Sequence, residues 1–475
     1  MAMAHLEFGD SISGLLVDGV DETPYVGATL RLADPRGVEV EVPYMTMRGS
    51  GQFSNVVEWF SSRTPPKNML LYARDGVVAL FDVSWGGHSE TYGGLRTSVG
   101  TLRPGEAVLG RREGPLTDPL EIQELSSRID GLNEWTSAES VSHEVEMNAE
   151  NRIQAVTYEL RSPEPIEWKQ GEALMKLRAS WTVDENSDAL RKRTTIDDSV
   201  SVISEFEESR PFWDHFVEQR KLATFLVFLF GKPIAFREHH LRDDRFVTRL
   251  QDGRIHDRPR YEVISARTIR ERATPIPTTK KLGEPIAWFS QVGPEGMQAW
   301  SDSYEAWSRF ILPSASVLGR NGAYAEDIVV STSMGLEAAG GLLGEQSGER
   351  PTWFRGRPTT ATYVYRCLQL VDVNLDKIGD KMGLARAIAK NYNDVKHYDR
   401  GDYPDQDITY LVSSFNELLV RLIAMTLTDR GDELLVPYRE GNEMWRVRQL
   451  FIVNGLFVKA DGGWDRTEPP ERAVI

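Results

Sequence analysis

Among 475 residues there is a single cysteine, Cys367, set in an apolar helical pattern. One thiol cannot build an intrachain disulfide framework, so a reducing, cytoplasmic setting is expected. Basic charge is also short. Lys and Arg number 55 against 71 Asp and Glu, a net charge of −16. About −13 of this falls before residue 266 and about −3 after it. A general nucleic-acid binder is usually basic, so the N-terminal part is a poor candidate for phosphate contact. Long apolar runs are missing too. The greasiest, 223–230, is far too short to span a bilayer, and no membrane association is expected. Residues 1–10 lack a basic stretch followed by an apolar core, so no secretory leader is expected. There is no Walker-type phosphate loop. There is no nucleophile elbow either, since Gly49-Ser50-Gly51 lacks its flanks. The histidines of the N-terminal part do not fall at metal-ligand spacing, and neither a metal nor a cofactor is expected.

What is present reads as two kinds of chain. The composition, 40% hydrophobic and 27% charged, is that of a globular protein of two or three domains. Up to about residue 205 the period is two. Residues 38–42 alternate strictly, 69–73 and 77–83 flank the turn signal Arg74-Asp75-Gly76, and 153–160 and 174–183 repeat the theme. This predicts an antiparallel sandwich or barrel-like sheet. Asp130-Gly131-Leu132-Asn133-Glu134-Trp135 reads as a loop with one core-anchoring tryptophan, and Trp85-Gly86-Gly87-His88 as a turn. A helix follows from Phe212 to Gly231-Lys232-Pro233, with His215 as a structural residue on it. His239-His240 reads as part of a solvated loop.

Prolines 275, 277 and 285 argue for a linker over 266–290. Beyond it the pattern is helical. Met297, Trp300, Tyr304, Trp307 and Ile311 share a face, and 324–343 is a further helix. Arg355-Gly356-Arg357 falls in a loop. Asp407 stands as an N-cap ahead of a strongly amphipathic helix through Ile423. The fold class predicted is α+β multidomain: a β-rich antiparallel domain over 1–265, the linker, an all-α bundle over 291–463, and a mobile tail over 464–475.

The chemistry concentrates in one run. Val371, Leu375, Ile378, Met382, Ala385, Ala389, Tyr392 and Val395 follow at steps of three and four, predicting one long helix that Gly379 and Gly383 weaken in the middle and Gly401 stops. Lys381, Arg386, Lys390, Lys396 and Arg400 cluster here against Asp394 and Asp399, reversing the sign of the chain locally. His397 is the only histidine after His256. Asn393 precedes it by one helical turn and Lys390 by two, which brings both near the ring. A polar helix end of this kind is ordinarily a solvated terminus whose cations suit the helix dipole.

The segment from Lys390 to His397 resembles the signature of HEPN domains, helical ribonucleases found in toxins, RNA-guided nucleases and phage-defence proteins. That signature sets an arginine four to six residues ahead of a histidine. At those distances stand Tyr392, Asn391 and Lys390, and only Lys390 is a cation. The resemblance therefore maps the arginine's role onto Lys390, the histidine's onto His397, and the polar neighbour's onto Asn391 or Asn393. Upstream, the strand-rich start, the Gly131 to Trp135 segment and the Pro211-Phe212-Trp213 helix together resemble the N-terminal domain of ApeA-type phage-defence proteins. Those proteins pair such a domain with a C-terminal HEPN domain.

Metal-independent RNA cleavage attacks the phosphate with the substrate's own 2′-OH. It needs a proton-transfer group with a pKa near neutrality, for which imidazole is suited, and a cation for the phosphorane. His397 fits the first task and Lys390 the second, with Asn391 or Asn393 orienting. Lys396, Arg400, Arg386 and Tyr392 are the candidate substrate contacts. One histidine cannot be both acid and base, so two copies are expected to share a cleft. The HEPN resemblance implies the same dimer, in a homodimer or higher oligomer. It also makes transfer RNA a substrate class. The expected function is an RNA endonuclease toxin of abortive infection, with RNA and not DNA as partner and a phage-derived trigger at the N-terminal domain. The rival reading is a catalytically silent HEPN scaffold that binds RNA or a nucleotide. A third makes the β-rich part a carbohydrate- or capsid-binding module.

Overall fold

The structure is a computed structural model and describes residues 5–19, 25–46, 51–91, 97–188, 190–397 and 404–467. Two compact units divide the chain. The first comprises Met1–Asn133, Ala138–Arg220 and Ala235–Thr278, and the second Glu134–Ser137, Lys221–Ile234 and Thr279–Ile475. These units depart from the sequence-order partition into 1–265, 266–290, 291–463 and 464–475. The reason is apolar packing. Trp135 is fully buried against Phe225 and Phe289, with ring centroids at 6.1 and 5.0 Å, and so joins the helical unit.

The first unit is built on a 14-stranded sheet in which every described pairing is antiparallel. Strand Gly37–Met45 shows why these residues form it. Val38, Val40 and Val42 are buried while Glu39 and Glu41, between them, reach the surface, the half-buried pattern of period two. Met69–Ala73 and Gly76–Phe81 pair as a hairpin with Ala73 opposite Gly76, so the tight turn is Arg74-Asp75. Trp59 and Phe60 of helix α1 (Ser54–Ser61) cover this part of the sheet. Each such side chain contributes about 1.5–3 kcal/mol on burial.

Three expectations for this unit need correction. Trp85 and His88 are not in a turn but on strand Ser84–Thr91, with a bulge between Trp85 and Gly87. His239 and His240 are not in a solvated loop: they lie on strand Phe236–Arg242, paired with Glu121–Ile129. His239 is buried, bonded to Ser127 Oγ at 2.7 Å and Thr268 Oγ1 at 2.9 Å, and burial pushes its pKa down to about 3. Residues 266–290 are not free of regular structure. After the one-turn helix α2 (Leu132–Thr136) and the long α3 (Phe212–Phe230), they carry two short helices, α4 (Ile269–Arg272) and α5 (Thr279–Leu282), anchored by buried Ile269 and Leu282. His215 on α3 is structural as expected. It is buried and bonded to Ser204 and to the Ile122 carbonyl.

The second unit holds α6 (Phe289–Tyr304), α7 (Ser308–Leu318), α8 (Ala325–Leu343), α9 (Thr360–Val371), α10 (Lys381–Lys396), α11 (Gln406–Thr426), α12 (Gly431–Arg439) and α13 (Trp445–Val453). Buried Trp300 centres it, 5.0 Å from Phe225 and 6.0 Å from Phe228, with its indole N–H on the Lys221 carbonyl. The stripe from Met297 to Ile311 belongs to two helices, broken at Trp307. By length and composition α11 could cross a membrane, but 67% of that stretch is buried within the structure. Its N-cap is Asp405 rather than Asp407, because the Asp405 carboxylate accepts from Asp407 N and Ile408 N. The segment expected as a mobile tail begins with a strand. Trp464–Arg466 pairs with Leu456–Val458, and Trp464 stacks on Phe451.

Candidate functional site

The long helix expected over 371–395 is two helices. α9 ends at Val371, where Asp372 turns left-handed (φ 50°), and α10 starts afresh at Lys381. Asp380 caps it, its carboxylate accepting from Gly383 N at 2.8 Å. The last helical residue is Lys396, and the Gly401 stop lies outside the described residues.

α10 packs against α8, α9 and α11. Leu384, Ala385, Ile388 and Ala389 supply the buried stripe. The polar residues divide on the same geometry. Lys390, Asn393 and Asp394 are exposed, and His397 is half-buried at the C-cap. His397 N still donates to Asn393 O at 3.0 Å, so its Cα keeps the helical position although its own ψ of 74° leaves the helix. At about 100° per residue these four positions span about 100° of arc, one solvent-facing row. Neither the His397 ring nor the Lys390 ammonium has a partner among the described residues.

The remaining predicted site residues do other work. Asn391 is a correction: it is buried, with Nδ2 donating to Thr409 Oγ1 at 3.0 Å and Oδ1 unpartnered among the described residues. It ties α10 to α11 and does not face substrate. Tyr392 is likewise buried, at 2% exposure, as an apolar wedge rather than a substrate contact. Its hydroxyl accepts from Lys396 Nζ at 3.1 Å, with that ammonium 5.1 Å from the ring centroid, and the hydrogen bond raises the lysine's pKa. Lys396 therefore points about a quarter-turn away from the His397 row. Asn393 spends its amide N–H on the Ala389 carbonyl at 2.9 Å, so it does not hold the ring through that group. The Arg386 guanidinium is committed to two carbonyls, Ala460 at 2.9 Å and Pro351 at 2.8 Å, and serves structure instead of phosphate. Arg400 lies outside the described residues.

Sequence reasoning missed the ion pair that stiffens this unit. Arg366 on α9 donates to both Glu349 oxygens at 2.7 Å and to the Gly340 carbonyl, and the Trp353 indole N–H donates to the same carboxylate. Both side chains are essentially buried, and the guanidinium holds the Glu349 carboxyl down at about 2. The available signal was an arginine inside the apolar stripe of α9. Among the described residues no group of three or more His, Cys, Asp or Glu could hold a metal ion.

Residues 20–245 match the family model described as ApeA N-terminal domain 1. The chain is ApeA-like. The match covers most of the strand-rich first unit and α3, where the sequence resemblance lies, and makes this a phage-defence protein of the ApeA type. No curated protein and no solved structure matches the ApeA-like chain.

Proposed function

We propose that this ApeA-like chain is the RNA endonuclease of an abortive-infection response, with its helical unit as a HEPN-type nuclease. The observation that carries the reading is the solvent-facing row at the end of α10. A half-buried imidazole without a described partner and an exposed lysine two turns earlier share one face, in a chain with an ApeA N-terminal domain. His397 takes the proton of an RNA 2′-OH as that oxygen attacks the adjacent phosphorus. Lys390 stabilises the added charge on the phosphorane. The departing 5′-oxygen takes its proton from the protonated His397 of a second copy, which leaves a 2′,3′-cyclic phosphate and a 5′-OH. RNA, with transfer RNA as one class, is thus the substrate, the working form is a homodimer or higher oligomer in the cytoplasm, and a phage-derived trigger acts at the N-terminal domain.

The test is to incubate the purified protein with total cellular RNA in the presence of EDTA and map new ends. Cyclic phosphate and 5′-OH termini that vanish in His397→Ala support the reading. Intact RNA from a protein that is toxic on expression overturns it. One observation favours a second reading, a silent HEPN scaffold that binds RNA: a lysine stands where the signature has arginine, and a point charge cannot grip phosphate in the bidentate way. Lack of toxicity on overexpression would separate the two.

A further inference from the structure

The motif Pro211-Phe212-Trp213 has no part in the α10 chemistry, yet it builds a wall of a pocket in the first unit. The pocket has a volume of about 450 Å³. Its floor is apolar, with Phe81, Leu120 and Phe212 all nearly fully buried. One charged group reaches deep into it: the Glu106 side chain, 12% exposed. That carboxylate is weakly satisfied. Ser265 Oγ is 3.5 Å away and Arg267 Nε 3.9 Å, both at or beyond the limit of a useful hydrogen bond. At the mouth, Trp213 is 46% exposed, with the Arg267 guanidinium 4.5 Å from its ring centroid.

We infer that this pocket binds a cation on an apolar stem, an ammonium or guanidinium that enters over Trp213 and ends on Glu106. The arrangement of charge excludes the opposite class. The two cations of the pocket, Lys67 and Arg267, stay at the rim, 75% and 51% exposed, and each already faces a carboxylate, Asp82 at 3.3 Å and Glu106 at 3.9 Å. A phosphate or carboxylate ligand would meet like charge in the pocket whenever Glu106 is ionised. A cation would instead supply the donor that Glu106 lacks, where low dielectric makes the pairing strong. Its methylene stem would cover Phe212 and Leu120, and its head would compete with Arg267 for the indole face of Trp213 on the way in. The acidic surplus before residue 266 steers the same class of ligand inward. Burial lifts the Glu106 carboxyl to about 7, with Arg267 and Ser265 opposing and Asp82 adding to the rise. Glu106 must therefore lose a proton before it pairs with a cation, and binding strengthens as pH rises through about 7. None of this depends on the reading of His397.

Two sources offer this chemistry, a lysine or arginine on a protein surface and a free polyamine. Titration calorimetry on the full chain distinguishes them, using Nα-acetyl-arginine methylamide and its lysine counterpart for the first, spermidine for the second, and capped glutamine as a neutral control. Saturable binding in either cationic arm, about tenfold tighter at pH 8 than at pH 6, and weakened at least tenfold by Glu106→Gln, supports the proposal. Arg267→Gln should tighten binding by removing the competing cation, a gain that a damaged fold does not produce. Equal affinity in Glu106→Gln, or no saturable heat in any cationic arm, overturns it.

Discussion

The backbone N–H of His397 donates to the carbonyl of Asn393 at 3.0 Å, the last hydrogen bond of α10 among the described residues. That bond fixes the imidazole at the rim of the helical unit, in line with Lys390, while leaving both ring nitrogens free of described partners. A histidine whose ring has no partner among the described residues contributes little to their packing, so its removal is the variant that separates function from folding.

His397→Ala is accordingly expected to abolish RNA cleavage and toxicity while the thermal midpoint stays within about 1–2 °C of the parent, the scale of a surface substitution. Scanning calorimetry beside an end-mapping assay checks both halves. Full toxicity with intact folding would remove His397 from the chemistry.

Lys390 is exposed and unpaired among the described residues, so its loss should also be structurally quiet. If it stabilises the phosphorane, Lys390→Ala lowers the cleavage rate by about a hundredfold, the usual scale for one charge-stabilising donor. Lys390→Arg should keep or raise the rate, because a guanidinium grips phosphate through two parallel hydrogen bonds. Single-turnover rates on one RNA decide it, and an alanine variant as fast as the parent removes the lysine from the mechanism.

Period two was plain in the valines of 38–42 and period 3.6 in α11, so the strand-rich and helical parts were legible from local pattern. The break between α9 and α10 was not. The apolar positions kept helical spacing straight through it, because Val373, Leu375 and Ile378 are buried in loop conformation by tertiary packing. Trp135's membership of the helical unit was hidden for the same reason, since its partners Phe225 and Phe289 are remote in sequence. At the candidate site, spacing sets Lys390 and His397 on one row but could not separate them from Asn391, whose amide bonds Thr409 of α11. Glu106 carried no signal, since strand alternation does not reveal which carboxylates will share a pocket with residues remote in sequence.

Gly383 illustrates packing that propensity alone would misjudge. In an exposed helix, Gly→Ala stabilises by about 1 kcal/mol. Here an added Cβ would stand 2.2 Å from the Lys459 carbonyl oxygen, so α10 and the 456–466 hairpin would have to separate. Gly383→Ala is expected to destabilise the protein by about 1–3 kcal/mol, as overpacking does. Denaturant melts check the sign, and a stabilised variant would show that the contact is slack.

The Glu349–Arg366 pair makes the helical unit sensitive to acid. The Glu349 carboxyl sits at about 2 in the folded chain against about 4.3 when unfolded, so the unfolded state binds the proton more readily. The pair's contribution is fully present above about pH 4.3 and is lost as pH falls toward 2, a loss of about 3 kcal/mol. Removing one partner should cost more than acid does. Arg366→Met leaves a buried carboxylate whose remaining donors are the Trp353 indole and the Gln346 backbone N–H, and about 3–5 kcal/mol should be lost at neutral pH. Arg366→Met paired with Glu349→Leu should recover most of that, because the desolvation cost of both charges goes with them. Urea melts of the two variants at pH 7 and of the parent from pH 7 to 3 test the whole chain of reasoning. A double variant no more stable than Arg366→Met would mean that the guanidinium's bond to the Gly340 carbonyl, and not the charge pair, holds α8 and α9 together.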